Sequence, residues 1–319
     1  MTLIAYLVGT DAETELAPDE AGLNAVGSTD MYRLRTRDPL AYARLQVTAD
    51  HFEREVRYDL DRFDILLNLV TDPDQNPRVL GNLARLVEGY RGRLLNPPDK
   101  VLRTTRDRVA IACAGLAHVV APRTLRIVGK AADEAGDFPF PGILRLAGTH
   151  TGIVLGIVED RDGLATLLQD GADHILTEFR DFRSADGLYR KYRFVFIGGE
   201  IVMRHLLVSD SWNVHAADRR RFMSPRPALI AEERALIDYG VQALPFPIRA
   251  GLSGIRDAVG LDLFGCDCAL TDDGVLLFEA NATMNFFPLA DGPDYAHLRT
   301  ALARAEAAFD ALLFGGDGR

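Results

Sequence analysis

Cysteine is scarce, with three residues (Cys113, Cys266 and Cys268) in 319. Three thiols cannot build a disulfide framework, and a Cys-x-Cys pair within one strand is too close for ordinary bridging geometry. They read as small core residues. The seven histidines are scattered without an H-x-x-H or H-E-x-x-H spacing, which disfavours a zinc enzyme. No G-x-S-x-G elbow is present, and no basic residue is placed to activate Cys113, so a serine or cysteine nucleophile is not indicated. The chain also lacks a run of eighteen apolar residues, a low-complexity tract and an internal repeat, which argues against a membrane span and against disorder. Basic charge is in deficit: 36 Lys and Arg stand against 46 Asp and Glu, a net −10. Such a chain is poorly suited to a nucleic-acid backbone. Its first residues have no basic stretch before the apolar run and turn acidic at once, unlike a secretory signal, so a cytoplasmic location is expected.

What is present is a globular pattern, 48 % apolar and long enough for two or three domains. Residues 3–8 and 63–70 read as strands, and residues 40–58 and 78–90 as helices. That alternation predicts a small α/β domain with a parallel sheet. Val70-Thr71-Asp72-Pro73-Asp74 falls at the carboxyl end of a buried strand, where such sheets bind ligands, although a solvated turn has the same composition. Asn96-Pro97-Pro98 marks the end of this domain. Beyond it the pattern predicts a helix over 104–116 and a strand after Pro122. Strands at 142–147 and 153–159 then flank a glycine loop, followed by a helix at 162–168 and a strand ending in Thr177-Glu178-Phe179. A hairpin over 189–209, an irregular stretch at 210–227, a helix at 229–244, a second hairpin and an alanine-rich amphipathic helix at 297–313 complete the chain.

The second hairpin, LDLFGCDCALTDDGVLLFEANATMNFFP over residues 261–288, carries the most chemistry. Side chains alternate along a strand, so Asp267 points away from Cys266 and Cys268, while Glu279 and Asn281 share one face. Two carboxylates brought this close repel by roughly 1 kcal/mol in water and about 4 kcal/mol near a protein surface, which calls for a cation between them. An all-oxygen set suits magnesium, whose remaining positions go to water and phosphate.

Two further features bear on anions. Gly148, Thr149, His150, Thr151 and Gly152 lie between two strands rather than before a helix, so they form neither a dinucleotide fingerprint nor a Walker loop. They read either as an ordinary turn or as a flap whose amides and hydroxyls approach a phosphate. Arg145 in the preceding strand adds a guanidinium suited to phosphate oxygens. In the first hairpin, a two-residue turn at Gly198-Gly199 makes paired positions sum to 397, setting Arg193 opposite Arg204 and Tyr192 opposite His205. Facing arginines are unfavourable unless an anion lies between them or both are solvated.

This order of elements resembles the ATP-grasp superfamily, nearest its glutathione-synthetase-like and glutamate-ligase-like carboxylate–amine ligases. The likeness spans roughly residues 96–288 and extends weakly to the N-terminal domain. Its most specific part is Gly265-x-Asp267 followed by Leu277-Phe278-Glu279-Ala280-Asn281. The resemblance implies Asp267, Glu279 and Asn281 as metal ligands, with Arg145 in the place of a phosphate-contacting lysine and residues 148–152 as the phosphate flap. It also implies an adenine-binding hinge at Thr177-Glu178-Phe179-Arg180, a ribose contact at Asp186, a phosphate-binding position near Arg106, and a catalytic role for Arg193, with Arg204 beside it. The chain departs from the pattern in having arginine at 145, threonine at 151, and Ala282-Thr283-Met284-Asn285 where many such ligases have Pro-Gly.

The expected architecture is an α/β pre-ATP-grasp domain over 1–100, followed by an α+β ATP-grasp fold with two subdomains clamping ATP, a lid over 101–176 and a metal-bearing subdomain over 177–319. The expected activity is ligation of a carboxylate to an amine through an acyl-phosphate, using ATP and magnesium, with two ions and manganese as a substitute. A kinase-like phosphotransferase and a nucleotide-binding regulator without turnover are the alternatives. Small anionic substrates such as amino acids or peptides are the expected partners, with no nucleic acid or membrane, and a homodimer is compatible with the resemblance.

Overall fold

The computed structural model describes residues 2–12, 27–36, 42–54, 56–149 and 153–315. The N-terminal sheet begins with β1 (Ile4–Val8), whose five residues are all buried. Next come β2 (Tyr42–Gln46), β3 (Ile65–Asn68), α1 (Pro77–Leu86) and β4 (Arg93–Leu95). The four strands are parallel in the order β2-β1-β3-β4. Continuous apolar runs such as β1 and β3 are what a parallel sheet covered on both faces demands. Helix α1 starts with proline at its first turn, where the missing amide hydrogen costs nothing, and buries Val79, Leu80 and Leu83.

The helix expected over residues 40–58 is absent. Its place is taken by β2 and a single 3-10 turn at His51–Glu53. Only Leu45 of β2 is buried, so this edge strand carries no readable alternation, and its ladder with β1 decides its conformation.

Asn96 is a joint rather than a linker. It is fully buried with φ +52°, a left-handed conformation asparagine tolerates. Its backbone amide donates to Asp262 Oδ2 (2.9 Å) and its side-chain amide to the Leu263 carbonyl (2.7 Å), while the Leu263 amide donates back to its Oδ1 (2.8 Å). The N-terminal sheet is thereby fastened to the strand that carries Asp267.

The chain then forms α2 (Pro98–Val101), α3 (Arg106–Cys113) and β5 (Val119–Val120). Helix α3 and β5 fall within the span expected for the lid, but β5 pairs in parallel with a C-terminal strand through Val275 and Leu276. The lid sheet proper holds β6 (Thr124–Val128), β7 (Gly142–Leu146), β8 (Gly156–Val158), then α4 (Arg161–Leu167) and β9 (Asp173–Glu178). Its order is β6-β9-β7-β8, all antiparallel. Thr177 and Glu178, assigned from the sequence to the next subdomain, are the last residues of this sheet.

The C-terminal part comprises β10 (Tyr189–Ile197), β11 (Glu200–Ser209), α5 (Pro227–Tyr239), α6 (Phe246–Val259), β12 (Leu263–Thr271), β13 (Gly274–Asn281) and α7 (Leu298–Phe314). Its sheet order is β11-β10-β12-β13-β5. Helix α6 was not anticipated, because Pro247, Gly251 and Gly254 interrupt its pattern. Gly251 has a packing cause: a Cβ there would lie 2.5 Å from the His118 carbonyl oxygen, so the helix lies hard against the chain entering β5. No helix among the described residues is long and apolar enough to cross a membrane.

Two cores result. One runs continuously through the N-terminal and C-terminal sheets, while the lid has its own, built on Ile127, Phe138, Leu144, Val158, Leu164, Leu168 and Leu176. The lid is therefore a separately packed body set on a larger one.

A second joint forms at Asp30, which accepts hydrogen bonds from the Phe286 (2.6 Å) and Phe287 (2.9 Å) amides. Burial pushes its carboxyl up, against the pull of those two amides and of Arg33 and Arg204. Replacing Asp30 by Ala should leave two amides without acceptors, at about 1–3 kcal/mol each. A lowered urea midpoint, with Asp30→Asn losing less because it keeps one acceptor, is the expected result.

Candidate functional site

Strands β10, β12 and β13 lie side by side, and their register sets Arg193 opposite Asp267 and Asp267 opposite Glu279. The three side chains form a row across one face. Arg193 grips Asp267 bidentately, Nε at 2.7 Å and Nη2 at 2.8 Å. Lys191, two residues earlier on the same face, adds its Nζ at 3.5 Å. Burial would push the Asp267 carboxyl up, but Arg193 and Lys191 outweigh it and hold the group at about 2. Glu279 is paired by Arg106, the first residue of α3, which also donates to the Phe278 carbonyl (3.2 Å). The repulsion between the facing carboxylates is thus answered by side-chain cations.

Asn281 stands one alternation beyond Glu279 and is 8 % exposed, with its Oδ1 buried and lacking a hydrogen-bond donor. Gly265, its partner on β12, has no side chain because a Cβ there would collide with Met284. Among the described residues no group of three His, Cys, Asp or Glu side chains is placed to hold a metal ion. Cys266 and Cys268 are wholly buried on the opposite face, as expected.

Above this row lies a cleft roofed by the lid. It is lined by Ile143, Arg145, Thr149 and Thr177 from the lid, Glu178, Phe179 and Arg180 from the hinge, Trp212, and Arg106, Lys191, Asp267, Phe278 and Glu279 below. Arg145 is the informative member. Burial, with the repulsion of Arg106 added, pulls its guanidinium down to about 9 despite Glu279 nearby, and no carboxylate or carbonyl among the described residues accepts from it. A half-buried cation with no acceptor among the described residues, facing another cation, would be stabilised by an anion between the two.

At the hinge, the Glu178 amide donates to the Arg123 carbonyl (2.8 Å) and the Phe179 amide to the Pro141 carbonyl (2.9 Å). These two amides of the expected adenine-binding hinge are engaged within the protein. The hinge instead presents the Phe179 ring, edge-on to Trp212 at 5.6 Å. In the flap, Gly148 has φ +70° and Thr149 Oγ1 donates to the Leu146 carbonyl (2.7 Å). His150, Thr151 and Gly152 lie outside the described residues.

Asp186 is half exposed, chelated by Arg190 at 3.0 and 2.8 Å, and does not line the cleft. The first hairpin also departs from expectation. Ile197 pairs with Glu200 and Phe194 with Met203, as the Gly198-Gly199 turn requires, but Arg193 then pairs with His205 and Tyr192 with Leu206. Arg204 is the extra residue of a β-bulge. Its guanidinium holds the loop after β13, with Nε donating to the Phe286 carbonyl (2.7 Å) and Nη2 to the Pro288 carbonyl (2.9 Å), and it lies over the Phe286 ring. Burial together with Arg193 and Arg219 pulls it down to about 10.

Lys191, Trp212 and Phe278 were missed in the sequence. Lys191 was accessible through its two-residue spacing from Arg193. Phe278 is delivered by a second bulge, where the β12–β13 register slips after Asp267, and no pattern marks Trp212. An adjoining smaller cavity shares Arg106, Thr149 and Glu279 with the cleft and adds Asp72, Pro73, Asp74, Thr105, Asn281 and Thr283. The loop after β3 therefore does border the site.

No protein-family model and no curated protein sequence matches this chain. Solved structures do. The D-alanine–D-alanine ligase of Bacillus anthracis complexed with ATP aligns over 96 % of this chain and 98 % of its own, at 13 % identity and TM-score 0.51. The macrocyclase MdnC of Microcystis aeruginosa, bound to its precursor peptide, aligns over 96 % and 99 % at 13 % identity and TM-score 0.51. The VanG D-Ala:D-Ser ligase of Enterococcus faecalis aligns over 97 % and 99 % at 13 % identity and TM-score 0.50. The chain has the ATP-grasp fold that its motifs resemble.

Because Arg204 bonds two backbone carbonyls and lines neither cavity, Arg204→Lys should lower Tm by roughly 2–6 °C. Nucleotide affinity should stay within about threefold of the parent, well under the 1.4 kcal/mol that a tenfold change represents. Calorimetry reads both quantities, and a large affinity loss at unchanged Tm would return Arg204 to the site.

Proposed function

We propose that this chain is an ATP- and magnesium-dependent ligase that joins a carboxylate to an amine through an acyl-phosphate. One juxtaposition carries the reading: a half-buried guanidinium with no acceptor among the described residues, on Arg145, and a buried oxygen without a donor, on Asn281, border adjoining cavities beneath one lid. The first calls for an anion and the second for a cation. A polyphosphate carrying a divalent ion answers both.

Asp267, Glu279 and Asn281 would hold magnesium, and their all-oxygen donor set fits it. Bound there, magnesium supplies charge neutralisation to the phosphates. Arg145 and Arg106 hold phosphate oxygens, Gly148 and Thr149 cover them, and Phe179 and Trp212 flank the base. The acid's oxygen attacks the γ-phosphorus, the bond to the β–γ bridging oxygen breaks, and ADP departs. An amine nitrogen then attacks the acyl carbon, phosphate leaves, and the amine gives up a proton. Arg193 stabilises charge on the transferring phosphoryl group, releasing part of its grip on Asp267. No protein nucleophile is required.

Activity screening with pooled amino acids and small peptides tests the reading. ADP release that needs both an acid and an amine supports ligation. A stable phosphorylated product formed without amine indicates a phosphotransferase instead. Arg145→Ala should weaken ATP binding about 10- to 100-fold, the scale of a lost charge-assisted contact. Glu279→Gln should abolish most turnover, and Arg193→Ala should lower kcat far more than nucleotide affinity, as single-turnover and binding measurements would show.

A further inference from the structure

Arg126 lies outside both cavities, on lid strand β6, yet it is the point at which three parts of the chain meet. Its Nη2 reaches Asp74 Oδ1 (2.6 Å) in the loop after β3 and Asp107 Oδ1 (3.3 Å) in the first turn of α3. Its Nη1 reaches Asp173 Oδ2 (3.0 Å) on the neighbouring lid strand β9. Asp74 belongs to the N-terminal domain, Asp107 to the body beneath the lid, and Asp173 to the lid itself. Arg126, Asp74 and Asp107 are each less than a quarter exposed.

The same loop touches the lid a second time. Gln75 Nε2 donates to the Gly148 carbonyl (2.5 Å), and a Cβ added to Gly148 would lie 3.3 Å from both Asp74 Cβ and Gln75 Cγ. Thus the loop after β3 holds the lid at its β6 edge and at the base of the flap. The two cores are packed separately, so such contacts can set the lid's position.

We propose that Arg126 is a positioning residue that latches the lid shut by bridging Asp74 and Asp107, so that its charge sets how fast a nucleotide leaves. This rests on the reading that the lid closes over a nucleotide. The latch is asymmetric in charge, with one guanidinium serving three carboxylates. Removing it does more than delete an attraction: Asp74 and Asp107 on one side and Asp173 on the other are left to repel across the interface. Asp173 shares the lid with Arg126 and bridges nothing, so its loss is an internal control.

The experiment uses the full chain and a fluorescent ATP analogue with magnesium, following dissociation by stopped flow. Hydrogen–deuterium exchange of residues 72–76 and 146–149 is measured without nucleotide. Arg126→Ala should speed nucleotide release about tenfold, within the usual range of coupling between sites, and should speed exchange in both segments. Asp74→Asn on that background should recover part of the slow release by removing a repelling charge, and Asp173→Asn alone should leave release near the parent rate. Unchanged release and exchange in Arg126→Ala, or no recovery in the double variant, overturns the latch. If the parent protein fails to bind the analogue, the nucleotide reading fails, while the exchange data still decide whether Arg126 holds the lid.

Discussion

Asp267 and Glu279 face each other on adjoining strands, and the protein must offset the repulsion of two carboxylates inside a largely buried cleft. It does so with three cations from two directions: Arg193 and Lys191 along the sheet, and Arg106 from the start of α3. Much of the surrounding architecture serves that arrangement. Asn96 fastens the N-terminal sheet to β12, while Arg204 holds carbonyls and Asp30 holds amides of the loop that follows β13. Buried ion pairs contribute little net stability, but breaking one strands a charge. The row is therefore better understood as stored electrostatic potential than as glue.

The two β-bulges show how such a site is cut into a regular sheet. One swings Phe278 into the cleft beside Glu279, and the other takes Arg204 out of line with Arg193 and sends it to backbone carbonyls. In each case a single extra residue re-aims one side chain while leaving the rest of the hairpin in place.

Those bulges also mark where sequence reasoning stops. The alternation through Asp267, Glu279 and Asn281 was readable because side-chain direction in a strand has a strict period, and the turn at Gly198-Gly199 correctly set the four residue pairs nearest to it. Counting outward from a turn cannot detect an inserted residue, so Arg204 was assigned a partner it does not have. Edge strand β2 was misread because one buried leucine gives no period, and α6 was hidden by its glycines, of which Gly251 answers to the His118 carbonyl more than a hundred positions away. Long-range partners such as Asp74 for Arg126 leave no local trace at all. The overall order of elements survived these errors because it rests on the strongly apolar strands.

The pairing of β5 with β13 has a consequence for how the chain comes together. All four strands of the lid lie between residues 124 and 178, so they can assemble as soon as that stretch has been made. The sheet beneath cannot close its edge until Val275 and Leu276 arrive to meet Val119 and Val120, across an intervening segment that already holds a finished unit. During synthesis at the ribosome the lid sheet is thus complete before the sheet beneath it can be. Prior compaction of that insert shortens the loop to be closed and lowers the entropic cost of the last pairing.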